Sequence, residues 1–154
     1  MSTSIPAIPV VAIDGPTASG KGTVAQAVAE KLGFHYLDSG SLYRLAALAA
    51  SRLGIDLADA KAVARIAANL DVAFRDGKTW LDGIDVGNEI RTESASQNAS
   101  RVAALPLVRE ALMTVQRNFR VAPGLVADGR DMGSVVFPDA ARLHVPALRH
   151  SIWL

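Results

Sequence analysis

The first third of the chain alternates short apolar runs with four-residue apolar rhythms. Val10-Val11-Ala12-Ile13 is a continuous apolar run rich in β-branched residues, and it stops at Asp14-Gly15-Pro16. That is the profile of a strand buried on both faces. Val24, Val28 and Leu32 then recur at every fourth position, with Ala25 and Ala29 beside them and Gly33 after them. This spacing predicts one apolar face of a helix closed by glycine. Phe34 to Leu37 reads as a second strand, ending at Asp38-Ser39-Gly40. Leu42, Leu45, Ala46, Ala49 and Leu53 form a second helical stripe, stopped by Gly54. Strand, helix, strand and helix at this spacing predict an α/β fold with a doubly wound parallel sheet.

The middle of the chain has a different rhythm. Asp59 to Asn69 reads as a short helix, followed by short strands at Val72 to Arg75, Lys78 to Leu81 and Ile84 to Val86. Asp76-Gly77 and Asp82-Gly83 separate them, and Asp-Gly is the strongest short hairpin signal. The expectation is one domain over residues 1–154, with a small antiparallel β insert at about 70–92. Val108, Leu112, Val115 and Phe119 mark an amphipathic helix entered at Pro106, a residue suited to a first helical turn. Pro123-Gly124 ends that pattern. Leu125-Val126-Ala127 then leads as a strand into Asp128-Gly129-Arg130-Asp131.

Composition narrows the function classes. The chain has 154 residues, half of them hydrophobic and 20% charged, enough to bury a core without disulfides or metal. A formal net charge of +1 gives no electrostatic footprint for a nucleic-acid polymer or a membrane surface. Cysteine is absent, which excludes a disulfide framework and a Cys-based zinc site. No apolar run has the length to span a bilayer. Met1 to Ser4 lacks the basic residues of a signal peptide, and the run after it is broken by Pro6 and Pro9. The expected location is the cytoplasm.

Chemistry enters at the first strand–helix junction. Gly15-Pro16-Thr17-Ala18-Ser19-Gly20-Lys21-Gly22-Thr23 has the Gly, four residues, Gly-Lys pattern in a strand–loop–helix context. Glycines let the backbone curl so that successive N–H groups point at one anion. The helix N-terminus adds its positive dipole end, and Lys21 adds a full charge for the β- and γ-phosphates. All nine residues are therefore expected to bind a nucleoside triphosphate. The residue after the lysine is Gly22 rather than Ser or Thr, and the hydroxyl comes one place later, at Thr23. That order is found in nucleoside monophosphate kinases. It speaks against a GTPase, as does the lack of an Asn-Lys-x-Asp segment.

Two further segments lie at strand ends, where ligands bind in open α/β sheets. In Asp38-Ser39-Gly40-Ser41-Leu42-Tyr43-Arg44, Ser39 is placed to cap the following helix and Arg44 to turn back to a phosphate. A plain N-cap with a surface arginine accounts for the segment equally well. Asp128-Gly129-Arg130-Asp131-Met132-Gly133 packs two carboxylates, a guanidinium and two glycines into six residues. A polar turn with a local ion pair is the simpler account. With a phosphate loop already placed, a site holding phosphate through Arg130 and a base or metal through the carboxylates is the favoured one.

These segments, together with Asn88-Glu89-Ile90-Arg91-Thr92 and the run to Phe137-Pro138, occur in an order that closely resembles bacterial cytidylate kinases. The resemblance covers residues 8 to about 140. It implies a P-loop nucleoside monophosphate kinase-like parallel sheet flanked by helices, with the β insert closing over a monophosphate. It implies transfer of the γ-phosphoryl group of ATP to CMP or dCMP, with Mg²⁺ arriving on ATP and no direct protein ligand to the metal. Lys21, Arg130 and Asp128 would be the catalytic residues. Ser39, Arg44 and Arg130 match positions that hold the CMP phosphate, and Ser100, Arg109 and Asp131 match positions that read cytosine. Cytosine's N4 amino group is a donor that a carboxylate such as Asp131 can accept. The implied partners are ATP and CMP or dCMP, with no nucleic-acid polymer, no membrane and a monomeric state.

From Ala140 onward the chain departs from the family pattern. Pro146, which lacks an N–H, is expected to interrupt the strand that belongs there, and His144, His150 and Trp153 match no motif. The expectation is a C-terminally truncated or frameshifted frame without the family's arginine-rich lid, one core strand and its covering helices. Two alternatives follow: a catalytically impaired nucleotide-binding fragment, or a P-loop kinase for a different small substrate.

Overall fold

A computed structural model describes residues 7–14 and 20–144. Gly15, Pro16, Thr17, Ala18 and Ser19 of the expected phosphate loop lie outside the described residues, as do Pro146, His150 and Trp153. The chain divides into two compact units. The first draws on residues up to 37 and from 119 onward; the second is Asp38–Asn118.

The first unit is built on a parallel four-stranded sheet. Its strands are β1 (Val10–Asp14), β2 (His35–Asp38), β6 (Leu125–Asp128) and β7 (Ala141–His144), in the order β2-β6-β1-β7. β1 runs parallel to both neighbours, with Ile13 opposite Asp128 and Asp14 opposite His144. Helix α1 (Lys21–Leu32) packs on this sheet through Ala25 and Ala29, which bury with Ile13 and Val126; Val11, Val28, Phe34 and Tyr36 surround them. Small residues on the buried helix face let it lie close to the strands. All four residues of β6 are buried, as its continuous apolar sequence requires. Arg120 secures the sheet's margin. Its Nε donates to Ile8 O at 2.7 Å, and its two Nη groups donate to the Asp139 carboxylate at 2.9 and 2.7 Å. That bidentate bond holds the Asp139 carboxyl below the usual carboxylate range.

The second unit contains α2 (Ser39–Arg52), α3 (Ala60–Ala68), α4 (Glu93–Ala103) and α5 (Pro106–Asn118). Strands β3 (Val72–Arg75), β4 (Lys78–Leu81) and β5 (Ile84–Asp85) form an antiparallel three-stranded sheet. The helices bury Leu42, Leu45, Val63, Val102, Val108 and Leu112 completely. Both hairpins have two-residue loops, with Arg75 opposite Lys78 and Leu81 opposite Ile84. Positive φ occurs at Asp76, Gly77, Asp82 and Gly83 (56°, 69°, 52° and 79°). Paired positive φ values match the right-handed twist of the flanking strands, so the Asp-Gly signals are realised as read.

Three expectations change. Helix α4 was not among the sequence-predicted elements: Glu93-Ser-Ala-Ser-Gln-Asn-Ala-Ser lacks an apolar stripe, and Val102 is its buried residue. A π-helical turn at Met132–Val136 follows Asp131, in a segment to which the sequence pattern assigned no element. The strand that Pro146 was expected to interrupt is present as β7, and it ends at His144, before the proline. Arg142 and His144 dilute its apolar pattern, so the strand signal was weak.

Gly124, just before β6, shows how closely β2 and β6 approach. His35 N donates to Gly124 O at 2.9 Å, and a Cβ at position 124 would lie 2.6 Å from two atoms of the Phe34 ring. Gly124→Ala should destabilise the protein by about 1–3 kcal/mol through overpacking. Adding Phe34→Leu should recover part of that loss. Chemical denaturation of the single and double variants checks this; an unchanged midpoint for Gly124→Ala contradicts the packing described.

Candidate active site

In the first unit, polar groups gather at the carboxyl ends of β1 and β6. Asp14 closes β1 and Asp128 closes β6, and their strands are hydrogen-bonded neighbours. Asp128 is buried at 4% exposure, and Tyr36 Oη donates to its Oδ2 at 3.1 Å. Asp14 Oδ1 is buried without a hydrogen-bond partner among the described residues. A cleft of about 290 Å³ opens here, lined by Asp14, Gly129, Arg130, Asp131 and Ser134. Asp131 takes a left-handed conformation (φ 58°), and its carbonyl accepts from Val135 N and Val136 N at 3.0 and 3.1 Å. That backbone turn leaves the Arg130 and Asp131 side chains exposed at the cleft.

Helix α1 begins beside Asp128. Gly20 is its N-cap with φ 79°, no side chain caps it, and its first turn contains no acidic residue. Open N–H groups and a positive dipole end favour an anion there. Gly22 lies near Asp128, since a Cβ on Gly22 would sit 3.6 Å from Asp128 Oδ2. Lys21 is the first helical residue and Thr23 is exposed.

No group of three or more His, Asp or Glu among the described residues is arranged to hold a metal ion. The unpartnered Asp14 oxygen at the cleft nonetheless fits a hard, hydrated divalent ion. Mg²⁺ keeps several waters and binds through one or two carboxylates plus phosphate oxygens.

The second unit carries the other candidates. Asp38, not Ser39, caps α2: its carboxylate accepts from Ser41 N at 3.3 Å and Ser41 Oγ at 2.7 Å. Ser39 is buried instead and donates through Oγ to Gln116 Oε1 at 2.7 Å. Arg44 Nη1 donates to the carbonyl of Ile90 at 2.7 Å, on the 3-10 turn Glu89–Arg91 that follows the three-stranded sheet. Nearby on the same turn, Glu89 pairs with Arg52 at 2.5 Å. Ser100 turns its hydroxyl back onto its own helix, to Ser96 O at 3.2 Å. Arg109 Nη1 donates to Ala103 O at 2.8 Å. The structure thus places Arg130 and Asp131 in one cleft with Asp14, and buries Asp128 nearby at the end of β6. It places Ser39, Arg44, Ser100 and Arg109 on α2, α4 and α5 of the second unit. Sequence reasoning did not single out Asp14, Tyr36 or Gln116; the Asp14 signal was available, as a carboxylate ending an apolar strand just before the phosphate loop.

Tyr43, one turn into α2, is half-buried. Burial pushes its phenol above the usual value of 10.0, while the positive charge of Arg109 pulls the other way. An acid whose pKa is raised in the fold loses its proton first in the unfolded chain. Stability is therefore unaffected by this group below about pH 10 and falls as pH rises toward the folded value. A Tyr43→Phe chain should lose less stability than wild type between about pH 9 and 11. Urea unfolding across that range checks it, and equal slopes would remove Tyr43 as a source of alkaline instability.

The sequence pattern of the cytidylate kinase family matches residues 11–145. The chain is 63% identical to a cytidylate kinase of Chromobacterium violaceum over 133 residues, covering 86% of this chain and 60% of the relative. It is 61% identical to that of Cupriavidus necator over 131 residues, covering 85% and 59%. With that of Bordetella bronchiseptica the identity is 59% over 141 residues, covering 92% and 63%. The chain thus spans 59–63% of the length of these curated relatives. The family match over residues 11–145, together with identity at this level, establishes that the chain belongs to the cytidylate kinase family.

Proposed function

We propose that this protein transfers the γ-phosphoryl group of ATP to CMP or dCMP. The observation that carries the reading is the cleft at the ends of β1 and β6, where Arg130 and Asp131 sit exposed and Asp14 lines the wall. Phosphoryl transfer needs little covalent help and rests on positioning and charge stabilisation. Loop residues 15–19, the α1 amides and Lys21 bind the triphosphate, together with Gly20, Gly22 and Thr23. Ser39, Arg44 and Arg130 hold the acceptor phosphate, and the two guanidinium groups offset repulsion between two polyanions. Ser100, Arg109 and Asp131 read the base, with Asp131 accepting from cytosine N4. The attacking atom is an acceptor phosphate oxygen, so no residue serves as a nucleophile.

Mg²⁺, bound with ATP, would neutralise charge on the transferring group. Asp14 and Asp128 would help to hold it, and Tyr36 fixes the Asp128 carboxylate through its hydroxyl. The antiparallel sheet at about 70–92 closes over the monophosphate, within a single kinase domain that works as a cytoplasmic monomer. No helix among the described residues is long and apolar enough to cross a membrane.

A coupled assay of ADP release with ATP and Mg²⁺ tests the reading. CMP and dCMP should each drive turnover well above UMP or AMP, and Lys21→Ala should cut it by about 10²–10³. Absence of any preference for CMP refutes the assignment of the acceptor. In the same assay Asp131→Ala should lower kcat/KM for CMP by roughly ten- to hundred-fold while leaving the KM for ATP unchanged. A parallel loss for both substrates would instead place Asp131 on the donor side.

A further inference from the structure

Three polar or charged residues are buried among the described residues: Ser39, Gln116 and Asp128. Two of them are bonded to each other, and that pair fixes where one proton points. Ser39 Oγ donates to Gln116 Oε1 at 2.7 Å, and Gln116 Nε2 donates to Leu112 O at 3.1 Å, one turn back on α5. A backbone carbonyl can only accept, so the amide nitrogen must face Leu112 and the amide oxygen must face Ser39. The hydroxyl has a single proton, and it is committed inward, to Gln116. On its other side Ser39 presents lone pairs, which a phosphate dianion repels. For Ser39 to donate to an acceptor phosphate, the bond to Gln116 must break.

We propose that Gln116 is a positioning residue that competes with the acceptor phosphate for the Ser39 proton, and so sets how tightly the monophosphate binds. The inference rests on the reading of Ser39 as a phosphate-holding residue. In the free protein the hydroxyl proton is held on Gln116 Oε1. When the monophosphate arrives the O–H rotates to a phosphate oxygen, and Gln116 Oε1 is left buried without its donor. Leaving a buried acceptor unsatisfied costs free energy, and that cost is subtracted from acceptor affinity. Burial makes the competition consequential: Gln116 is 4% exposed and Ser39 7%, so bulk water does not freely replace the lost partner.

The sign of the consequence separates this role from a structural one. Damage to packing weakens binding, whereas removing a competitor strengthens it. Gln116→Leu, close in volume and without an acceptor, should lower the Kd for CMP by about two- to ten-fold. The KM for ATP should not move. Ser39→Ala should raise the Kd for CMP, and adding Gln116→Leu to it should produce no further change, because the proton in contention is gone. Calorimetric titration of CMP into the four chains measures the cycle, with thermal melts to show that each is folded. Gln116→Met provides the same test if the leucine variant does not fold.

Tighter CMP binding that disappears in the Ser39→Ala background supports the proposal. Weaker or unchanged binding in the single variant, or the same effect with and without Ser39, overturns it while leaving the cytidylate reading intact. Absence of CMP binding by the wild-type chain overturns that reading and this inference with it.

Discussion

The register of β1 against β6 is the constraint on which the first unit depends. Ile13 stands opposite Asp128, so Asp14 and Asp128 end neighbouring strands at the same edge of the sheet. A slip of one residue would turn every side chain of β1 to the other face. Asp14 would then leave the cleft, and Ile13 would leave its contact with Ala25 and Ala29 on α1. The register therefore turns Asp128 to the same face as Ile13, toward α1, while Asp14, the next residue, alternates to the other face at the end of β1. Burial of Asp128 beneath the first turn of α1 follows from that alignment, as does the bond from Tyr36 on the far neighbour β2.

In the second unit side-chain hydrogen bonds set the functional groups where packing alone would not. Asp38 caps α2 and frees Ser39 from that task. Ser39 is then drawn into the helical core by Gln116, and Arg44 is steered to the Ile90 carbonyl on the turn after the three-stranded sheet. One helical end thus distributes its polar residues in different directions: Asp38 and Ser41 bond locally, while Ser39 and Arg44 are set by partners far away in sequence. The Arg44 contact also ties α2 to the segment into which the antiparallel sheet feeds, so a change at one is felt at the other.

Most of the fold was legible because its signals are local. Asp76-Gly77 and Asp82-Gly83 specify their hairpins by backbone conformation alone, and Gly33 and Gly54 mark where α1 and α2 stop. The β1 strand declares itself by its apolar pattern and its abrupt end at Asp14. What escaped is what depends on tertiary contact. α4 is polar over most of its length, although Thr92, whose hydroxyl accepts from Ala95 N at 3.1 Å, was a usable capping signal. β7 forms because β1 offers it a free edge, although its own sequence is mixed. The distinction between Asp38 and Ser39 as cap is a difference of one residue, and only the burial of Ser39 against Gln116 decides it. Arg130 and Asp131 could be placed together from sequence, whereas their carboxylate background could not, because it needs the pairing of strands more than a hundred residues apart.

The strand order β2-β6-β1-β7 has a bearing on how the chain is made. β1 and β2 follow one another in sequence but are not neighbours in the sheet; β6 lies between them, and β7 covers the other side of β1. During synthesis both early strands therefore emerge without a partner, and they stay so until β6 has been made. Meanwhile the whole of Asp38–Asn118, with its mostly local helix and hairpin contacts, is already available to fold. Long-range pairing of this kind is slow, and unpaired apolar strands are prone to association. Val10-Val11-Ala12-Ile13, the strand that ends at the cleft with Asp14, is thus the part of the nascent chain that waits longest for its partners and has most need of protection while it does.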